Sequence, residues 1–153
     1  MAHRRSAVEP LSIWGAGGRS LNGVDEAGPP CFAEGMSEQT YRGSCHCGKV
    51  RYEVKADLTQ VIACNCSICS RKAYLLTFVS PEQFNLLSGG DDLTDYQFNT
   101  MNIHHLFCAK CGIQSFGRGT KRDGTPAISI NVRCLEGVEP SELKVMNVDG
   151  RRL

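Results

Sequence analysis

Seven of the nine cysteines in this sequence fall into three short clusters. The clusters are Cys45-x-Cys47, Cys64-x-Cys66-x-x-Cys69 and Cys108-x-x-Cys111. Closely spaced thiolates bind zinc, which takes four ligands in a closed structural site and three in a site that leaves a position for water or substrate. Seven cysteines are one short of two closed sites. The count therefore predicts one closed metal site and one site with an open position.

The first and third clusters together make up a closed site. If Cys45 and Cys47 lie on a strand, their side chains point to the same face and offer half of a tetrahedral ligand set. The third cluster offers the other half, and Gly112 permits the positive φ of a metal-binding turn. We predict the closed site to be Cys45, Cys47, Cys108 and Cys111. His46 is expected at the surface or beside this site, not as a ligand.

The second cluster is the candidate for the open site. Cys64, Cys66 and Cys69 can wrap around one ion with little loop-closure cost. Arg71 and Lys72 follow and compensate the negative charge of three thiolates. An incoming thiol would lose its proton at the open position and could react with a small carbonyl carbon. The residues thus indicate thiol chemistry on a small electrophile.

Three alternatives to this scheme stay open in the sequence. Cys134 could supply a fourth ligand and close the second site. An iron–sulfur cluster is a rival metal centre for cysteine thiolates. Disulfides are the third alternative, but the first ten residues lack the apolar segment of a signal peptide and nine cysteines leave one unpaired. A cytoplasmic metal protein is therefore the favoured prediction.

Length and charge limit the partners. A chain of 153 residues is the size of one domain, and a net charge of +1 gives no electrostatic footprint for nucleic acid or anionic lipid. No segment approaches the roughly 18 consecutive apolar residues of a membrane helix. We expect neither a nucleic acid nor a membrane as partner.

The chain divides near residue 36. Residues 1–36 are rich in glycine and proline and have no sustained hydrophobic period, which predicts a flexible leader. Either Met36 is the biological start or the leader is a genuine disordered arm. Cys31 lies in the leader and is given no role. Residues 37–153 are predicted to form the zinc-binding domain.

The domain is predicted to be mainly β, built from short strands held by metal. Its strand signals are short alternating or apolar segments at residues 50–54, 61–63, 73–79, 95–99 and 127–132. A single helical signal stands out in Ser80-Pro81-Glu82-Gln83, which has the pattern of a capping box with proline at the first helical position.

Several segments also carry a resemblance to a known family. They are Gly43-Ser44-Cys45-His46-Cys47-Gly48-Lys49-Val50-Arg51-Tyr52, the second cluster, His105-Leu106-Phe107-Cys108-Ala109-Lys110-Cys111-Gly112-Ile113-Gln114-Ser115-Phe116, Asn131-Val132-Arg133-Cys134-Leu135-Glu136-Gly137 and Asp149-Gly150-Arg151. These segments resemble the glutathione-dependent formaldehyde-activating enzyme family, which includes centromere protein V. The resemblance extends from about Tyr41 to the end of the chain.

The resemblance implies a fold, two metals and an activity. The fold is a β-tent of short antiparallel sheets organised around zinc. The four cysteines of the closed site would hold a structural zinc, and Cys64, Cys66 and Cys69 a catalytic one. The activity is that of a carbon–sulfur lyase, which joins glutathione and formaldehyde to S-hydroxymethylglutathione or cleaves that adduct. Glutathione is the expected small-molecule partner.

Other polar residues have competing interpretations. His104 and His105 could be general acids or bases, but a histidine beside a structural zinc more often has a packing role. Lys72 and Arg133 could bind carboxylates of glutathione or be ordinary surface charges. The alternative for the whole protein is a zinc-stabilised binding or scaffold module without catalysis.

Overall fold

The computed structural model describes residues 38–152. The prediction of a flexible leader at residues 1–36 lies outside these residues. So do Cys31 and the question of whether Met36 is the start. Within the described part, no helix is both long enough and apolar enough to span a membrane.

The described residues form short strands and very little helix, which confirms the mainly β prediction. The strands are β1 (Gln39–Ser44), β2 (Arg51–Ala56), β3 (Val61–Cys64), β4 (Leu76–Val79), β5 (Phe84–Ser88), β6 (Leu93–Tyr96), β7 (His105–Cys108), β8 (Phe116–Thr120), β9 (Pro126–Asn131) and β10 (Val145–Val148). The α-helix α1 is Cys69–Lys72. Short 3-10 helices follow at Pro81–Gln83, Val132–Cys134 and Pro140–Glu142.

Three sheets share these strands. Their orders are β1-β2-β5, β10-β3-β4-β9-β8 and β6-β7. All pairings are antiparallel except β10 with β3, which is parallel and places Val148 beside Cys64. The expectation of purely antiparallel sheets is therefore wrong at this edge. A parallel neighbour needs a long connection, and here most of the domain lies between the two strands.

The predicted capping box was correct, because local backbone hydrogen bonds determine it. The bounds of two predicted strands differ from those in the structure. The capping box is present: the Ser80 backbone N–H donates to Gln83 Oε1 at 2.8 Å. The segment 73–79 becomes a strand only from Leu76, because Ala73 ends α1 with a left-handed φ of 49°. The segment 95–99 is strand only to Tyr96, and positive φ follows at Asn99.

The core is centred on Tyr52, which is 0% exposed. Its ring contacts those of Phe84 and Phe116 at centroid distances of 5.2 and 5.6 Å. The phenol O–H donates to the Ser115 carbonyl at 3.3 Å. Gly43, opposite Tyr52 in the β1–β2 ladder, lets the strand pass over this ring, since a Cβ there would lie 2.3 Å from it.

We expect Gly43→Ala to lower the free energy of unfolding by about 2 kcal/mol, because the fully buried Tyr52 ring has no space into which to move. Gly90→Ala is the matched control, since an added methyl there meets only Leu86 at an ordinary 3.6 Å. Urea denaturation of both variants measures the difference. Equal stability of the two variants would contradict the tight contact.

Candidate metal centres and adjoining clefts

The structure brings the first and third cysteine clusters together. The ligand atoms of Cys45, Cys47, Cys108 and Cys111 all lie within 4.8 Å of one another. Two of the sulfur–sulfur distances are 3.5 Å, between Cys45 and Cys47, and 3.7 Å, between Cys47 and Cys108. Four sulfurs bound tetrahedrally to one zinc at 2.3 Å would be about 3.8 Å apart. The group thus fits a four-thiolate metal site.

The first pair of ligands comes from a turn. Cys45 and Cys47 lie in the connection between β1 and β2, so the expectation that they share a strand face is wrong. The Cys45 N–H donates to the Val50 carbonyl at 3.0 Å, and the Gly48 N–H donates to the Cys45 carbonyl. Gly48 has a φ of 74°. This turn, rather than the alternation of a strand, directs both sulfurs to one side.

The second pair lies at the end of β7. Gly112 adopts the expected positive φ, 74°, and its N–H donates to the Cys108 carbonyl at 2.8 Å. The backbone N–H of Ile113, acting with neighbouring donors, lowers the pKa of Cys111 to about 6. A thiol so stabilised as the thiolate is prepared for a cation.

The second cluster also forms a compact group. The sulfurs of Cys64, Cys66 and Cys69 lie within 4.8 Å of one another. Cys64 ends β3, and Cys69 begins α1. Burial opposes ionisation of Cys66, but backbone donors from Cys69 and Ile68 outweigh it, and the Cys66 pKa is lowered. Burial raises the pKa of Cys69. Three thiols with at least one favoured thiolate suit a soft metal ion.

The C-terminal segment fastens this second group. Asn65, between the first two cysteines, donates from Nδ2 to Asp149 Oδ1 at 2.9 Å. Its own Oδ1 accepts from the Arg151 backbone N–H at 3.3 Å, and its carbonyl accepts from Arg151 Nε at 3.1 Å. Gly150 lies against Cys64 and Cys66: a Cβ there would be 2.4 Å from Cys64 Sγ and 3.0 Å from Cys66 Cβ. The space over Cys64 exists because residue 150 has no side chain.

Cys134 belongs to neither group. It is half-buried, and its sulfur accepts from Asn131 Nδ2 at 3.4 Å. Burial raises its pKa, and the nearby Cys45 and Cys111 add to the rise, which places Cys134 on the side of the four-sulfur group. Among the described residues, the second group therefore consists of three cysteines.

A cleft of about 620 Å³ with several polar and charged side chains in its walls adjoins the four-sulfur group. Its walls include Lys72, Tyr74, Gln114, Arg133, Cys134 and Glu136. The buried Gln114 Oε1 accepts from Tyr74 Oη at 2.7 Å and from Lys72 Nζ at 3.2 Å. Burial raises the pKa of Tyr74, so its phenol stays protonated and donates. We call this site the polar cleft.

A second cleft, of about 570 Å³, lies between α1 and the β6–β7 pair. Its walls include Ile68, Arg71, Lys72, Tyr96, Phe98 and Phe107. We call it the aromatic cleft. Ile68 lies between the cysteines of the second group, and Lys72 borders both clefts.

The three histidines of the domain lie in different environments. His46 is exposed and lies outside the four-sulfur group. His104 Nδ1 contacts Asp95 Oδ2 at 2.6 Å. His105 is 8% exposed and stacks on Phe98 at 5.3 Å, and burial lowers its pKa so that the ring is neutral at pH 7. Its Nε2 has no hydrogen-bond partner among the described residues.

Sequence reasoning missed the residues that shape the clefts. In the sequence, Tyr74 belongs to a predicted strand and Gln114 to a predicted loop. Tyr96 and Phe98 belong to a predicted strand of alternating apolar and polar residues. Hydrophobic patterning does not mark them, because their contacts join distant segments, although Gln114 lies in one of the segments that carry the family resemblance. The C-terminal clamp did have a signal, since Asp149-Gly150-Arg151 is one of the segments that carry the family resemblance.

We expect Gly150→Ala to reduce the bound metal from two ions per chain to one, because the added methyl group collides with Cys64 Sγ. Native mass spectrometry counts the ions. Cys134→Ser is the matched control and should keep both, since Cys134 is in neither group. Two ions in Gly150→Ala, or one in Cys134→Ser, would contradict the assignment of the second group.

Two comparisons relate this chain to known proteins. The crystal structure of a Rhodobacter sphaeroides protein is similar, with 32% sequence identity and a TM-score of 0.61 over 69% of this chain and 99% of that one. The sequence model of the glutathione-dependent formaldehyde-activating enzyme family matches residues 40–146. This range contains all seven clustered cysteines. The chain is therefore a member of the glutathione-dependent formaldehyde-activating enzyme family.

Proposed function

We propose that this protein is a zinc-dependent carbon–sulfur lyase. Its reaction would be the reversible addition of glutathione to formaldehyde, or to a related small aldehyde, giving S-hydroxymethylglutathione or its analogue. The observation that carries the proposal is the three-sulfur group of Cys64, Cys66 and Cys69, for which the described chain provides no fourth cysteine. Family membership supports the reaction class.

We further propose two zinc ions per chain with different roles. The four-sulfur group would hold a structural zinc and so organise a β-tent fold. The three-sulfur group would hold the catalytic zinc, which when bound lowers the pKa of an incoming thiol and so supplies a thiolate at neutral pH. Zinc is favoured because sulfur ligands at tetrahedral spacing suit it.

The residues of the polar cleft would bind and orient glutathione. Lys72 and Arg133 are cations for its two carboxylates, and Glu136 is a carboxylate for its ammonium group. Gln114 holds Lys72 in place through its 3.2 Å hydrogen bond. Lys72 follows Cys69 by one turn of α1, so a thiol anchored at Lys72 is delivered to the second sulfur group.

The chemical step conserves every atom of the reactants. The glutathione sulfur forms a bond to the aldehyde carbon while the carbon–oxygen π pair moves to oxygen. The thiol proton ends on that oxygen. Cleavage of the adduct is the same step reversed. A cytoplasmic location, where glutathione is reduced, suits this chemistry, and residues 37–153 are proposed as the domain that performs it.

We expect the wild-type protein to speed the equilibration of formaldehyde with glutathione above the uncatalysed rate, and Cys66→Ser to abolish this acceleration because one of three thiolates is lost. NMR exchange spectroscopy measures both rates. Thermal melting of Cys66→Ser should remain cooperative, since the four-sulfur group is intact. If wild type and variant both match the uncatalysed rate, the protein is a zinc-stabilised module without this activity.

Arg133 provides a separate test of how glutathione binds. We expect Arg133→Gln to raise KM for glutathione about fivefold with little change in kcat, because an exposed charge pair to a substrate carboxylate is lost. Arg133→Lys is the matched control. Its KM for glutathione should lie between those of the wild type and Arg133→Gln, since lysine keeps the positive charge. A change in kcat alone would contradict a binding role.

A further inference from the structure

The aromatic cleft is larger than the proposed reaction with formaldehyde requires. Its volume is about 570 Å³, within the range of roughly 300–1,000 Å³ that small-molecule sites of proteins occupy. Formaldehyde contributes a single carbon to its glutathione adduct. Glutathione, for its part, matches the charges of the polar cleft. The aromatic cleft is therefore left without a ligand.

The walls of this cleft favour a flat apolar group. Tyr96 and Phe98 stack with a centroid distance of 5.7 Å and an interplanar angle of 23°. Tyr96 is 50% exposed, so one side of the stack is free to contact a ligand. The half-buried Phe107 contributes a third ring. Aromatic surfaces interact best with other flat rings in offset-stacked or edge-on geometry.

The α1 side of the cleft is cationic. Within residues 38–152, neither Arg71 nor Lys72 forms an ion pair with a carboxylate. Lys72 Nζ lies 5.6 Å from the centre of the Phe107 ring. The one carboxylate of the cleft walls, Asp95, already contacts His104 at 2.6 Å. The cleft thus combines aromatic rings with two cations that have backbone or amide partners but no carboxylate partner among the described residues.

The cleft also adjoins the second sulfur group. Ser67 and Ile68, which border it, are the two residues between Cys66 and Cys69. Phe107 lies on the opposite face of β7 from Cys108, a member of the four-sulfur group. A ligand in the cleft would therefore lie beside the thiol-activating site and away from the closed one.

We propose that the aromatic cleft binds an aromatic group that carries a carboxylate. Under the proposed function, on which this part of the inference rests, that group is the carbonyl partner of the thiol: an aromatic aldehyde with an acidic substituent. The thiol sulfur bonds to the aldehyde carbon, the π pair moves to oxygen, and the thiol proton ends on that oxygen. No oxidant or reductant is required.

An unreactive probe tests the ligand class independently of any activity. Ligand-observed NMR on the full-length, zinc-loaded protein would measure the binding of para-methylbenzoate. We expect Tyr96→Ser to weaken it about fivefold. Phe78→Ser is the matched control, because Phe78 is 49% exposed on another sheet, and it should leave binding unchanged. Equal affinity of wild type and Tyr96→Ser overturns the proposal.

Two further probes separate shape from charge. Cyclohexanecarboxylate has the same charge but is not flat, and para-methylbenzamide is flat but uncharged. We expect both to bind at least threefold more weakly than para-methylbenzoate. Arg71 borders the aromatic cleft and not the polar cleft, so Arg71→Met should remove the difference between the benzoate and the benzamide. Equal binding of all three probes, or displacement of para-methylbenzoate by glutathione, overturns the assignment.

The aldehyde itself distinguishes this inference from the proposed function. With glutathione and para-formylbenzoate, we expect the wild-type protein to accelerate the exchange above the uncatalysed rate. Tyr96→Ser should reduce this acceleration more than it reduces the acceleration with formaldehyde. Acceleration with formaldehyde alone, without binding of para-methylbenzoate, overturns the inference and leaves the lyase activity. Tyr96-dependent binding without acceleration of either aldehyde supports the ligand class and overturns the lyase activity.

Discussion

The convergence of four sulfurs is the interaction on which the rest of the structure depends. Cys47 and Cys108 lie 61 positions apart, yet their sulfurs are 3.7 Å from each other. Thiolates packed this closely repel one another unless a cation lies between them. The group ties the β1–β2 turn to the end of β7. It thereby fixes the first sheet relative to the strand pair that carries the aromatic cleft.

Strand β7 passes this constraint on to the candidate site. Side chains alternate along a strand, so Cys108 and Phe107 point to opposite faces. Because the sulfur group holds Cys108, Phe107 is held toward α1 and its cations. The register with β6 then places Thr94 opposite Phe107 and Tyr96 opposite His105. One strand in this way supports the four-sulfur group on one face and the wall of a cleft on the other.

Lys72 is the residue that the two clefts share. It follows the second sulfur group by three positions, and the buried Gln114 orients it toward the polar cleft. The same ammonium lies over the Phe107 ring of the aromatic cleft. A thiol bound on one side and a carbonyl compound on the other would therefore meet near the second sulfur group. Holding two reactants side by side would lower the entropy cost of bringing them together, which is one way in which a protein accelerates an addition reaction.

Much of the local structure followed from the sequence. The capping box at Ser80, the positive φ of Gly112 and strand β2 depend on backbone chemistry and side-chain alternation within a few residues. The boundaries of β6 and the parallel position of β10 did not follow. Strand β10 pairs with a segment more than 80 positions earlier, and no local pattern specifies that neighbour. The placement of Cys45 in a turn was missed because a C-x-C pair can share a side in either setting.

By itself, the sequence predicted which cysteines gather in each sulfur group, because cysteines two or three positions apart stay close in space and the seven clustered cysteines divide into four and three. It also determined the family. Only the tertiary structure decided that Cys134 lies outside the second group and that Gly150 leaves the space over Cys64. It alone created the two clefts, since contacts such as Lys72 with Gln114 join residues 42 positions apart. Such contacts depend on how the sheets pack, and packing is set by the whole chain at once.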